Sequence, residues 1–294
     1  MKALTQRLAE VRAEIDERLA VLTEPPDDHR AKTYRALNYT ALAGGKRVRP
    51  LLFYCACEVC GGDPRRFIDV ACAIELVHTA SLVLDDLPAM DDASLRRGRP
   101  TVHTVYDEAA AILAAVGGLM QAFELIAACG AIRGRRGLSA KLSLELSRAV
   151  GRDGMIAGQQ LDLDATGSRL GMEELEFIHA AKTGVLFIAT ARMGALCAGA
   201  RDFELEALEA YAKNLGLAFQ IADDLLDVTA SAEELGKDVG KDVAKPTFAH
   251  LFGLEASRAV AHELVETSQA ALGLLRRDTT VLSQLAAFVL ERRR

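Results

Sequence analysis

Apolar residues recur at helical spacing along nearly the whole chain, with polar residues filling the other face. The pattern predicts helices over about 3–22, 29–43, 48–60, 66–86, 104–130, 138–165, 172–198, 203–228, 254–274 and 278–292. Breaks fall where the chain carries residues that end helices. Pro25-Pro26 closes the first helix, and Gly61-Gly62-Asp63-Pro64 separates two others. Gly171 stands just before Glu173, Glu174 and Glu176, and acids suit the positive end of a helix dipole. No segment reads as a strand, no period marks a repeat, and no linker is long or polar enough to divide the chain. The expectation is one all-α domain over 1–294.

Composition narrows this picture. Hydrophobic residues make up 50% of the 294 residues, enough for a sizeable core and too much for disorder. Aromatics are only 5%, and Ala and Leu dominate, which favours helix over a β-sandwich or barrel. A formal net charge of −6 argues against a nucleic-acid partner, which calls for a basic excess. No uninterrupted apolar run reaches the ~18–20 residues that span a bilayer, so no transmembrane segment is expected. The start, MKALTQRLAEVRAEID, reads as an amphipathic helix with early acids rather than a targeting peptide, which predicts a cytoplasmic protein. Cys55, Cys57, Cys60, Cys72, Cys129 and Cys197 are then reduced core thiols. Cys55, Cys57 and Cys60 spread around a helix, and no second cluster completes a zinc site.

Two acidic segments carry candidate chemistry. One runs Ser81-Leu-Val-Leu-Asp85-Asp86-Leu-Pro-Ala-Met-Asp91-Asp92, the other Phe219-Gln220-Ile-Ala-Asp223-Asp224-Leu-Leu-Asp227. Each places carboxylates at the C-terminal end of an apolar helix, the negative pole of its dipole. Such packing is unfavourable unless a cation neutralises it. Asp223 and Asp227 share a face, being four apart. Asp85 and Asp91 converge only if the helix ends between them, and Pro88 is placed to end it. All-oxygen donors suit Mg²⁺, which keeps waters and shares its shell with substrate phosphates. Basic turns complement the acids: Gly44-Gly45-Lys46-Arg47-Val48-Arg49-Pro50, Leu95-Arg96-Arg97-Gly98-Arg99-Pro100-Thr101 and Lys182-Thr183-Gly184. Arg forks and Lys point charges recognise phosphate. The combination predicts a small, strongly anionic substrate.

From about 30 to 292 the chain resembles the trans-isoprenyl diphosphate synthases. The resemblance rests on GGKRxRP at 44–50, DDLPAMD at 85–91, LRRGxPT at 95–101, GQxxD at 158–162, KTG at 182–184 and FQxxDD at 219–224, with DDxxD at 223–227. It is strongest to bacterial geranylgeranyl diphosphate synthases. It implies an all-α helical bundle around a deep central cavity, usually a homodimer. It implies Mg²⁺ on Asp85, Asp86 and Asp91, and a further Mg²⁺ on Asp223, Asp224 and Asp227. Lys46, Arg49, His78 and Arg97 would hold the diphosphate of isopentenyl diphosphate; Arg96, Lys182 and Lys237 would contact the allylic diphosphate. Thr183 and Gln220 would face the developing cation, with Gln159 and Asp162 lining the site. One departure is Ala115-Val116, where many relatives carry Gly-Asp. The charged stretch Glu233–Pro246 reads as a lid or as a plain solvated loop, and the terminal Glu291–Arg294 as a frayed basic tail.

The implied reaction is head-to-tail prenyl transfer. Small residues at Ala80 and Ser81, five and four before Asp85, leave the pocket deep and favour the twenty-carbon geranylgeranyl product over farnesyl diphosphate. Three other readings compete. A terpene cyclase needs no second diphosphate site. A catalytically silent partner subunit sits badly with intact carboxylates in both clusters. A di-iron bundle would use Glu75-x-x-His78 and Glu176-x-x-His179 and leave both aspartate clusters unexplained.

Overall fold

The computed structural model describes residues 1–131, 137–165, 170–229 and 247–291. Lys237, Lys241, Lys245, the rest of 233–246, the Asp227 side chain and Arg292–Arg294 lie outside the described residues. The predicted all-α class holds. The helices are α1 (Lys2–Leu22), α2 (Ala31–Ala41), α3 (Val48–Val59), α4 (Ile68–Asp85), α5 (Val102–Val105), α6 (Glu108–Ala128), α7 (Leu138–Val150), α8 (Met155–Asp164), α9 (Met172–His179), α10 (Val185–Ala198), α11 (Asp202–Thr229), α12 (Phe248–Phe252), α13 (Leu254–Ala271) and α14 (Thr280–Glu291).

The helix α4 is the centre of the assembly. It packs against α6, α3, α1 and α2. Val70 to Val77 are all buried, so this stretch of the helix shows no polar face. A helix enclosed on every side reads as hydrophobic all round. Pro64–Asp85, Glu108–Ala128 and Met172–Ala198 are long and apolar enough to cross a membrane, contrary to the expectation from uninterrupted runs; enclosure accounts for Pro64–Asp85, whereas Glu108–Ala128 keeps an exposed apolar face. A second layer forms where α10 lies between α3 and α11, and α11 packs on α13. Tyr54, Phe53, Phe187 and Tyr211 fill the space between the layers. Tyr211 donates its hydroxyl to Leu282 O at 2.7 Å, so even this buried ring has its polar atom satisfied.

Three features depart from the periodicity. The predicted helix over 138–165 is broken at Gly151–Gly154 into α7 and α8. The predicted helix over 172–198 contains a π turn at Ala180–Gly184. A two-residue antiparallel hairpin, β1 (Leu95–Arg96) and β2 (Arg99–Pro100), stands where no strand was expected. Its register pairs Arg96 with Arg99 across Arg97-Gly98, both at positive φ (+54° and +73°). Two residues at positive φ make the tight turn whose twist matches paired strands. Such a short ladder is set by the turn, which an alternation test does not see.

The thiols are all free, and five of the six are buried. Burial pushes the Cys55 thiol up to about 12, as expected of a core cysteine rather than a metal ligand.

Candidate active site

The first aspartate cluster forms at the C-terminus of α4. The helix stops at Asp85, and the chain folds back: Asp91 N donates to Asp85 O at 2.9 Å and Ala93 N to Asp86 O at 3.2 Å. This turn satisfies orphan carbonyls of the helix end and returns Asp91 to Asp85. The convergence expected from Pro88 is therefore achieved. Burial raises the Asp85 carboxyl to about 6; the nearby Lys182 ammonium opposes the rise and Asp91 adds to it. Asp86 has a different role. It is 4% exposed and accepts from Arg96 Nε at 2.9 Å and from Arg96 Nη2. The hairpin thus returns its first arginine to the helix it follows.

The second cluster lies near the end of α11 and repeats this division. Asp223 is partly exposed, whereas Asp224 is 4% exposed. Asp224 Oδ1 accepts from Gln220 Nε2 at 3.1 Å, and Oδ2 accepts from Phe248 N at 3.1 Å. His179 Nε2 lies 3.3 Å from the same Oδ2, and its ring stacks on Phe248 at 5.5 Å. Adjacent helical residues point about 100° apart. In each Asp-Asp pair one carboxylate remains partly exposed and the other is bound into the protein.

The π turn links the clusters. An extra residue in a helix re-aims the side chains around it. Lys182 reaches Asp162 Oδ2 at 2.7 Å and also faces Asp85. Thr183 donates to Gln220 Oε1 at 2.9 Å. Gly158 allows this: a Cβ there would lie 2.2 Å from Lys182 N, so α8 and the π turn touch backbone to backbone. Gln159, next along α8, donates to Met90 Sδ at 3.7 Å, and its Oε1 is buried without a hydrogen-bond partner.

The basic side is made by the turn before α3 and by the hairpin. Arg49 stacks over Phe187 at 4.8 Å, and its Nε is buried with no hydrogen-bond partner. Burial lowers its pKa to about 10, opposed by the charges of Glu75 and Asp223. Burial and the guanidiniums of Arg49, Arg97, Arg96 and Arg47 hold His78 well below its ordinary value, hence neutral. Arg97 donates to Gly44 O, and Lys46 lies over the Phe288 ring at 5.5 Å. Partly buried cations gathered around a neutral imidazole make a site that favours an anion.

Arg47 differs from its neighbours. It bonds Asp16 Oδ1 at 2.7 Å, Glu75 Oε1 at 2.6 Å and Ala41 O at 2.6 Å, and its side chain is fully covered. It ties α1, α2 and α4 together. Sequence reading did not find this role. The available signal was Glu75, a carboxylate inside an apolar helix that must have a partner. The same pairing uses up Glu75, and His179 stands against Asp224, so the di-iron motifs are not assembled. Among the described residues, no three His, Cys, Asp or Glu side chains converge to hold a metal by themselves. All-oxygen donors on two sides, beside unpartnered Arg49 Nε, fit Mg²⁺ that arrives with a diphosphate.

Towards the C-terminal end of α4, His78, Ser81, Leu82, Leu84 and Asp85 are partly exposed, and His78, Ser81, Leu82 and Asp85 form a stripe along one face. Ser81 donates to His78 O at 2.9 Å. Ala80 is fully buried in the core, so Ser81, rather than Ala80, lies on the stripe that ends at Asp85.

Comparisons with known proteins agree with this arrangement. Residues 30–276 match the polyprenyl synthetase family. Geranylgeranyl pyrophosphate synthase 9, chloroplastic, of Arabidopsis thaliana is 46% identical over 262 residues, covering 86% of this chain and 72% of that protein. The chloroplastic geranylgeranyl pyrophosphate synthase of Capsicum annuum is 40% identical over 291 residues, covering 97% and 77%. These relatives are chloroplastic by name, which overturns the expectation of a cytoplasmic protein. A farnesyl/geranylfarnesyl diphosphate synthase of Zymomonas mobilis superposes with a TM-score of 0.88 at 34% identity, over 98% of this chain and 99% of that one. A Helicobacter pylori geranyltransferase complexed with magnesium and isoprenyl diphosphate gives 0.84 at 32%, over 97% and 96%. With both aspartate pairs, the basic turns and the fold in agreement, the chain belongs to the polyprenyl synthetase family, as a trans-isoprenyl diphosphate synthase.

Proposed function

We propose that the chain, as one catalytic domain, condenses isopentenyl diphosphate with allylic diphosphates and releases geranylgeranyl diphosphate. The observation that carries this reading is the path between the clusters. Lys182 faces Asp85, and the next residue, Thr183, bonds Gln220, one turn before Asp223. These contacts support reading the two separated carboxylate groups as the two sides of one site.

Asp85 and Asp91 on one side, and Asp223 with Asp227 on the other, would hold Mg²⁺, which supplies Lewis-acid neutralisation of the departing diphosphate. Arg96 and Lys182, together with Lys237, would hold the allylic diphosphate. Arg49, Arg97, Lys46 and His78 would hold that of isopentenyl diphosphate. Arg49 has a free buried donor for it. Fixing both substrates turns a bimolecular encounter into a positioned one. Thr183 and Gln220 would offer oxygen to the allylic cation, in surroundings that exclude water. Gln159 and Asp162 would line the same side. The proton lost after carbon–carbon bond formation would go to the released diphosphate.

Ser81, on the open stripe of α4, leaves room for a twenty-carbon tail. The geranylgeranyl synthases among the relatives support that length. A homodimer would cover an apolar face of α6, where Leu113 is 58% and Met120 59% exposed, with Ile112 and Val116 beside them. Val116 occupies the position where many relatives carry Asp, and it extends that face. Incubating the protein and Mg²⁺ with isopentenyl diphosphate and each allylic starter, then sizing the products, tests the reading. A twenty-carbon diphosphate is expected. A fifteen-carbon product corrects the length, and no condensation with any starter refutes the reading.

A further inference from the structure

Asp224 belongs to an expected metal-binding motif, yet both of its oxygens are engaged inside the protein. Oδ2 accepts the backbone N–H of Phe248, a group that can only donate. Oδ1 accepts from Gln220. An ionised carboxylate is acceptor-only, so the Gln220 amide must turn its NH₂ group towards it. The amide oxygen is then committed to Thr183, and Thr183 must donate its only hydroxyl proton at 2.9 Å. The hydrogen bonds therefore run one way, from Thr183 through Gln220 to Asp224.

Direction matters because of what remains at Thr183. With its proton given to Gln220, the hydroxyl presents lone pairs to its other neighbours. If the chain ran the other way, Thr183 would accept from Gln220, and its proton would be free to point into the gap. Oxygen lone pairs stabilise a developing cation, whereas a hydroxyl proton repels it.

We propose that Asp224 is a positioning residue whose charge sets the polarity of the Thr183–Gln220 hydrogen-bond chain, so that oxygen lone pairs face the allylic cation. This rests on the proposed prenyl transfer. His179, stacked on Phe248 and 3.3 Å from Oδ2, closes the pocket around the carboxylate and gives a place to the Glu-x-x-His motif that metal chemistry left unused.

The test is Asp224→Asn, which has nearly the same shape. Its oxygen can keep Phe248 N–H, but its NH₂ then faces Gln220, flips that amide and reverses the chain. The expected result is a kcat lowered about 10–100-fold, the scale of losing one preorganised dipole. The KM for both diphosphates and the Mg²⁺ concentration for half-maximal rate should stay within about twofold. Thr183→Val should cost much less in the Asp224→Asn background than in the parent. An unchanged kcat, full additivity, or a loss recovered by tenfold more Mg²⁺ would each overturn the proposal, the last by making Asp224 a metal ligand. A neutron structure of the parent protein decides the polarity without turnover. A deuteron on Thr183 Oγ1 directed at Gln220 supports the proposal, and one on Gln220 directed at Thr183 refutes it. A parent protein that shows the expected deuteron but condenses nothing refutes the prenyl-transfer reading instead.

Discussion

Each aspartate cluster begins with an Asp-Asp pair on a helix, and in each pair the first member is partly exposed while the second is buried. The two buried members are satisfied differently. Asp86 is held by a guanidinium, Arg96, brought in by the hairpin. Asp224 is held by neutral donors, the Gln220 amide and the Phe248 backbone. The first cluster is thus tied to a charge expected to touch substrate, and the second to a hydrogen-bond path leading to Thr183. Motif spelling treats the two pairs as equivalent, but their surroundings give them separate tasks: one anchors a phosphate-binding hairpin, the other orients dipoles.

The largest expected effect separates exposed from buried members. Asp85→Ala and Asp223→Ala should each lower turnover by roughly a thousandfold or more without lowering the melting temperature of the apo protein. Near-normal turnover in either variant breaks the view that the exposed member serves the metal. Next come the two basic turns. Arg49→Ala should raise the KM for isopentenyl diphosphate about 10–100-fold, because a charge-assisted bond is worth roughly 1.5–3 kcal/mol. Arg96→Ala should act mainly on the allylic substrate. Steady-state kinetics with each substrate varied in turn will show whether both shift the same one, which would make the two turns a single site.

A smaller effect concerns pH. The Asp85 carboxyl titrates near 6 when folded, above the ordinary carboxylate value of about 4. Between those values the folded state binds more protons than the unfolded one. Apo-protein stability should therefore rise by about 2 kcal/mol as pH falls from above 6 towards 4, on top of the behaviour of other groups. Asp85→Asn should lack that rise. Chemical denaturation of both proteins across this range provides the measurement, and parallel curves would remove burial as the reason for the raised value. The gentlest change concerns product size. Ser81→Phe should shorten the product from twenty to fifteen carbons with catalysis retained. Ala80→Phe, overpacking a fully buried position, should cost about 1–3 kcal/mol of stability instead. Product chromatography and unfolding midpoints distinguish the two.

The helices were legible because Ala- and Leu-rich stretches with 3.6-residue periodicity leave little else to form. The carboxylates and cations were legible because their chemistry is written in their spelling. What was hidden is rotational. Composition does not reveal that Ser81 faces the open stripe while Ala80 faces the core, since both are small. Lys46, Arg47 and Arg49 look alike in a basic run, yet Arg47 is spent on Asp16 and Glu75. The hairpin at 95–100 was missed because two paired residues produce no alternation, and the π turn because one inserted residue changes phase without changing composition.

That inserted residue carries a consequence for engineering. With regular α geometry through Ala180–Gly184, α9 and α10 would form one helix containing one residue too many. The wider turn absorbs that residue, so α9 and α10 keep their faces although the sequence pattern across them is one residue out of step. Removing a single alanine, Ala180 or Ala181, would restore a regular helix and is an innocuous edit by helix propensity. Yet it would re-aim the side chains of the turn itself, drawing Lys182 away from Asp162 and Thr183 away from Gln220, while α9 and α10 kept the faces they now present. Loop deletions are the usual route to a shorter, stiffer enzyme; here the residue that must not be deleted lies inside a helix.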